Sequence, residues 1–179
     1  TTTYVINCLT VYMGRLWAGT ISDDNPATAF GKIYWMRLSG DTGWTLDHTT
    51  TVGQGEITGL KEYRGLLYAA TAGSTGAAGL VLVRSLAGVW STSDTGTAVS
   101  ASQWYYSLEV VRDALHTSYR DETGMTCTFR KYDGSAWSTT ATPTADGGGQ
   151  FEGGYKMFAF NDTLYAINHF YSPGVAVGD

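Results

Sequence analysis

The stretch Lys61-Glu62-Tyr63-Arg64-Gly65-Leu66-Leu67-Tyr68-Ala69-Ala70-Thr71 decides the fold, because the chain states it four times with variations. The other copies are Val11-Tyr12-Met13-Gly14-Arg15-Leu16-Trp17-Ala18-Gly19-Thr20, Val110-Val111-Arg112-Asp113-Ala114-Leu115-His116-Thr117 and Ala159-Phe160-Asn161-Asp162-Thr163-Leu164-Tyr165-Ala166. Each reads as a β-hairpin: an apolar strand, a turn on Gly or Asp, then a strand in which Leu stands beside an aromatic or His. The turn residues carry the signal, since Gly tolerates positive φ and Asp hydrogen-bonds its own backbone.

The turn residues Gly14, Gly65, Asp113 and Asp162 stand 51, 48 and 49 residues apart. Five residues before them come Leu9, Leu60, Leu108 and Met157. Two after come Leu16, Leu67, Leu115 and Leu164, and three after come Trp17, Tyr68, His116 and Tyr165. Columns in register over four copies mark an internal repeat of about fifty residues. A second hairpin keeps the same period. Lys32-Ile33-Tyr34-Trp35-Met36-Arg37-Leu38 leads to Trp44, Gly79-Leu80-Val81-Leu82-Val83-Arg84 to Trp90, and Cys127-Thr128-Phe129-Arg130-Lys131-Tyr132 to Trp137. Each unit is thus four antiparallel strands, the outermost opening on Trp.

Composition agrees: 23 Gly, 12 Tyr and 6 Trp against 3 Pro is the usage of many short strands joined by turns. No segment repeats apolar residues at helical spacing over three turns. A net charge of −5 gives no electrostatic footprint for nucleic acid or an anionic membrane surface. There is no transmembrane span. Cys8 and Cys127 lie in non-equivalent parts of the repeat and read as buried thiols rather than a disulfide. Thr1 suggests a processed chain or a piece of a longer one, and the compartment is undetermined, with an extracellular or virion surface favoured. The sequon Asn161-Asp162-Thr163 falls where an Asn-Asp turn is expected anyway.

Four strands per repeat, with a Gly-x-Leu-Tyr-Ala strand and an Asp-Gly-x-x-Trp outer turn, resemble β-propeller blades of the kelch-like and tachylectin-like kind. The Trp-Asp dipeptide of WD40 repeats and the double Gly of kelch repeats are absent from the matching positions. Ser39-Gly40-Asp41-Thr42-Gly43-Trp44 looks like a shortened Asp-box, a folding turn that implies no catalysis. The resemblance implies a single all-β propeller-type domain over 1–179, with blades at about 4–48, 55–95, 103–142 and an incomplete fourth at 151–179. Three and a half blades leave open strand edges. The chain is therefore expected to form a homo-oligomer, or to belong to a larger chain or assembly that completes the fourth blade.

Ligands of such a fold tend to meet long loops on one face. A Gln recurs near the start of successive inner strands: Gln54, Gln103 and Gln150, accompanied by Glu56, Trp104, Phe151 and Glu152. Amides beside aromatics suit a sugar, whose apolar faces meet rings and whose hydroxyls meet amides; the alternative is that each Gln tethers its loop. Asp23 and Asp24, in the loop 21–26, have the oxygen ligands for Ca²⁺ but no EF-hand spacing, so a solvated loop is preferred. His116 reads as a packing position and His48 as part of a connecting loop, and with His169 they show no metal-ligand spacing. No catalytic residue and no cofactor is assigned. A glycosidase would need paired carboxylates, for which Asp23, Asp24, Glu56 and Glu152 are the candidates. The expected function is a non-catalytic recognition or assembly module that binds glycan or protein, such as a surface, adhesin or virion-associated component. The alternative is a carbohydrate-active hydrolase or lyase.

Overall fold

The computed structural model describes residues 4–22, 30–73, 77–95, 102–121, 126–142 and 150–171; at 22, 102–103, 121, 126, 150–155 and 168–171 it describes the backbone alone. Among these residues the chain is all β, with fifteen strands and no helix.

All four hairpins close on two-residue loops: Tyr12 pairs with Arg15, Tyr63 with Leu66, Val111 with Ala114 and Phe160 with Thr163. Both loop residues lie at positive φ in every copy: 49° and 69° at Met13 and Gly14, 48° and 76° at Arg64 and Gly65, 48° and 55° at Arg112 and Asp113, 46° and 56° at Asn161 and Asp162. This backbone twist matches the right-handed twist of the flanking strands, which is why such turns dominate tight hairpins.

The first unit is the meander β1 (Tyr4–Tyr12), β2 (Arg15–Ser22), β3 (Lys32–Arg37) and β4 (Thr45–Thr49), each strand antiparallel to the next. The second is β5 (Glu56–Tyr63), β6 (Leu66–Ala72), β8 (Val81–Arg84) and β9 (Trp90–Asp94), with the two-residue β7 (Ala77–Ala78) inserted after β6. The third is β10 (Ser102–Val111), β11 (Ala114–Asp121), β12 (Thr126–Tyr132) and β13 (Trp137–Ala141). The fourth has two described strands, β14 (Gln150–Phe160) and β15 (Thr163–Tyr171), which form a sheet of their own. Single residue pairs, Ile21 with Glu56 and Ala72 with Trp104, stitch the first three units into one 13-stranded sheet; β7 adds a short parallel contact to β10.

The first strand of every unit has a β-bulge at the same place in the repeat, between Ile6 and Cys8, Ile57 and Gly59, Tyr105 and Ser107, and Gly154 and Lys156. The outer pair bulges too, leaving Asp47, Ser93 and Thr140 as the extra residue of β4, β9 and β13. Bulges bend a strand and re-aim side chains, and here the re-aimed groups tie one unit to the next. Asn7 Nδ2 donates to Ile57 O at 3.1 Å and Thr58 Oγ1 to Tyr105 O at 2.6 Å. Trp90 Nε1 donates to Asp47 Oδ2 at 2.7 Å, and Trp137 Nε1 to Ser93 Oγ at 3.0 Å. A third tie repeats beside the tight turns, where Tyr12 Oη donates to Gly65 O at 2.9 Å and Tyr63 Oη to Asp113 O at 2.8 Å.

The core lies between units. Tyr12, Trp17 and Ile33 pack on Ile57, Leu60, Leu67 and Leu82 of the second unit. Tyr63, Tyr68 and Val81 pack on Tyr105, Leu108, Leu115 and Tyr119 of the third. At about 1.5–3 kcal/mol for each fully buried large side chain, these two seams dominate the favourable side of folding. Close approach is built in at Gly19, where a Cβ would stand 2.4 Å from Ile57 Cγ2 and 2.7 Å from Cys8 Sγ. Two buried ion pairs lie in the seams: Arg84 Nε meets Asp47 Oδ2 at 2.9 Å, and Arg130 Nε lies 2.9 Å from Asp94 Oδ2, which also accepts from Tyr105 Oη.

Two expectations are corrected. His48 lies in β4 paired with Ile33, not in a connecting loop, and its ring packs tilted against Trp90 at 5.4 Å between centroids. Gln54, Gln103 and Gln150 are not equivalent: measured from their turn residues they stand 11, 10 and 12 positions back. Gln54 precedes β5, Gln103 lies inside β10 and Gln150 opens β14. Cys8 and Cys127 are thiols, not joined as a disulfide. Cys127 is buried as expected, while Cys8 is only partly so.

Candidate functional site

Of the sequence candidates, the fold brings Glu56 and Trp104 together. Both occupy the position nine residues before the turn residue, so they are repeat equivalents in neighbouring units. Both pair with Ala72, from opposite sides, so that Glu56, Ala72 and Trp104 form one row across β5, β6 and β10. Neighbouring strands are about 4.8 Å apart, which sets the two backbones at about 10 Å. The Glu56 side chain is half-buried, and burial pushes its carboxyl above its ordinary pKa. The Trp104 ring packs at 6.2 Å from that of Tyr106, and its indole nitrogen is buried with no acceptor among the described residues.

Gln54 does not offer its amide to this row. It is buried; Nε2 donates to Ala78 O at 2.9 Å, while its main-chain oxygen accepts from Gly31 N at 2.7 Å and Thr50 Oγ1 at 2.6 Å. This glutamine therefore ties the entry of the second unit both to the first unit and to β7. Gln103 is placed by its backbone, which pairs with Ala78 and Asp121. Gln150 and Phe151 pair with Tyr171 and Phe170, and Glu152 lies on the same strand. The side chains of these four residues lie outside the described set, as do Asp23 and Asp24 entirely. Among the described residues no group of three or more His, Cys, Asp or Glu is placed to hold a metal ion, and no helix is long and apolar enough to cross a membrane.

His48 and His116 are half-buried, and the side chain of His169 lies outside the described set. His116 lines a cavity of about 390 Å³ where the third unit meets the fourth, with Arg112, Lys131 and Asp162. Burial is the main cause that lowers its pKa, Lys131 adds to it, and a hydrogen bond to the Val111 main chain opposes both. His48 is lowered by burial against the opposing pull of Asp47. The Cys8 thiol is pushed up to about 12, chiefly by burial, so it is held as a thiol rather than a nucleophilic thiolate.

Residue patterns did not single out the open face of the first unit. Tyr4, Ile6, Ala18, Thr20, Tyr34 and Trp44 line a cavity of about 250 Å³ there. Trp44 is exposed, whereas its equivalents Trp90 and Trp137 each hydrogen-bond to the unit before. The signal was present in the Trp column but silent about which copies would lack a neighbour.

No family model matches the chain, and no curated protein matches it. Among solved structures it is similar to a "putative hydrolase" from Bacteroides ovatus ATCC 8483, at a TM-score of 0.42 and 12% identity, over 80% of this chain and 46% of that one. The chain thus spans less than half the length of that protein.

Proposed function

We propose that the units are blades of a β-propeller whose fourth blade is begun here, and that the chain is a recognition or assembly module rather than an enzyme. Propeller blades are four-stranded antiparallel sheets set face to face, and three four-stranded meanders joined by recurring unit-to-unit ties support that reading. The observation that carries the function is the state of the two end faces. Apolar columns that are buried where the first three units meet are exposed at both ends, among them Ile6, Leu9, Phe160 and Tyr165. A face of this composition is an interaction surface. The row of Glu56 and Trp104 supplies a separate place where a glycan can meet a ring and a carboxyl.

A second reading, a carbohydrate-active hydrolase or lyase, rests on Glu56, whose raised pKa is what a general acid needs. Incubation with a panel of immobilised glycans and soluble polysaccharides separates the two. The module reading expects retention without turnover, weakened by Trp104→Ala. Turnover abolished by Glu56→Gln in a folded protein would replace it with the enzyme.

A further inference from the structure

The repeat gives every unit two faces, and their burial follows one rule. The leading columns, eight and five residues before the turn residue, are buried wherever a unit precedes: Ile57 and Tyr105 are 0% exposed and Leu60 and Leu108 6%, yet Ile6 is 49% and Leu9 54% exposed in the first unit. The trailing columns, two before and three after the turn residue, are buried wherever an aromatic-bearing unit is followed by another: Tyr12, Trp17, Tyr63 and Tyr68 are 1–4% exposed. In the fourth unit the same positions hold Phe160, 61% exposed, and Tyr165, 44% exposed and stacked on Phe158 at 5.2 Å.

We infer that these two faces are partners of one another, so that the trailing face of the fourth unit seats the leading face of the first unit of a second copy. This inference rests on reading the units as blades and names what joins them. The occupant is a copy of this chain because the two faces match each other position by position: within the chain, a trailing aromatic pair is always covered by leading positions like those the first unit leaves open. A foreign partner would need to match only one of them. The acceptor half of the polar ties is present as well. Gly14 O and Ile6 O occupy the places at which Gly65 O and Asp113 O, and Ile57 O and Tyr105 O, accept bonds from the unit before. Such a contact is head-to-tail, so copies joined by it form a closed ring or an open series.

Sedimentation of the full chain tests this with two variants, Leu9→Asp on the leading face and Phe160→Asp on the trailing face. Both positions are exposed in the single chain, so each variant should melt as the wild type does when dilute; Ile6→Asp and Tyr165→Asp stand in for either that does not. The wild type should sediment as a multiple of its 19.2 kDa mass, and each variant alone as one chain. Mixed in equal amounts, the variants should form a species of two chains and no larger, because one intact trailing face and one intact leading face remain. Phe160→Tyr, which restores the hydroxyl of the Tyr12 and Tyr63 ties, should tighten association roughly 2- to 10-fold. A wild type that stays at 19.2 kDa up to about 100 µM, variants that keep the wild-type mass, or a mixture that does not recombine overturns the inference. A single chain that still retains glycan loses this inference but keeps the recognition module, whereas turnover abolished by Glu56→Gln removes the module whatever the mass.

Discussion

Met13 holds a left-handed conformation, φ 49°, that costs an ordinary side chain about 1 kcal/mol or more, and it does so with its side chain exposed. Met13→Asn should therefore stabilise the chain by about 0.5–1 kcal/mol in urea unfolding. Arg64 shares the geometry, but its guanidinium meets Asp113 at 2.7 Å across the seam, so the same change there exchanges strain for a lost contact. Asp133 illustrates a turn held by one carboxylate. Its Oδ1 accepts from Ser135 Oγ at 2.7 Å, Ser135 N at 2.9 Å and Ala136 N at 3.1 Å, and these bonds, the Ser135 hydroxyl first, lower its pKa to about 2. A depressed folded pKa stabilises above the unfolded value of about 3.9 and is lost as pH falls through the folded one. Asp133→Ala should accordingly lose less stability than the wild type between about pH 4 and pH 2. Glu56 runs the other way. Its raised pKa favours folding below about pH 4.3, and that advantage is lost as pH rises through the folded value. Glu56→Gln should thus raise the melting temperature at pH 7, an outcome independent of any ligand.

At the scale of strands, one column provides its own control. Leu60 and Leu108 are buried at the positions that match Leu9, so truncation of either to Ala should cost about 2–5 kcal/mol. Leu9→Ala, on the open face, should cost under about 1 kcal/mol when the protein is dilute enough to be a single chain. Asp47→Ala should cost about 3 kcal/mol by denaturant unfolding, since it leaves Arg84 and the Trp90 indole without the carboxylate they share. Gly19→Ala belongs with these losses, because its methyl would enter the space of Ile57 and Cys8. Strand order, tight turns and the Leu and Trp columns were legible in the sequence, since the same residue type recurs at a fixed position in copy after copy. The bulges were not. Their extra residues in the first strands are Asn7, Thr58, Tyr106 and Tyr155, a mixed column that neither the turn nor the apolar pattern marks, although Asn7 and Thr58 make the same bond. The Gln series drifts by one or two positions from copy to copy, and in Gln54 the amide is committed to the main chain of Ala78, as the tethering alternative has it.

For the whole molecule, the seams between units carry the core, and equivalent apolar positions are exposed on the first and fourth units. Composition and period alone announced a repeat, but only the burial of equivalent positions distinguished the face that leads from the face that trails. The same comparison separates two parts of the proposed function. The end faces concern assembly, and the Glu56–Trp104 row concerns what the assembly recognises. Electron microscopy of the particle at the mass found by sedimentation tests the central claim most directly. The account predicts four-stranded units set around a common axis, with the fourth unit of one copy against the first unit of the next. Units stacked without an axis, or rings in which first units face first units, would contradict it.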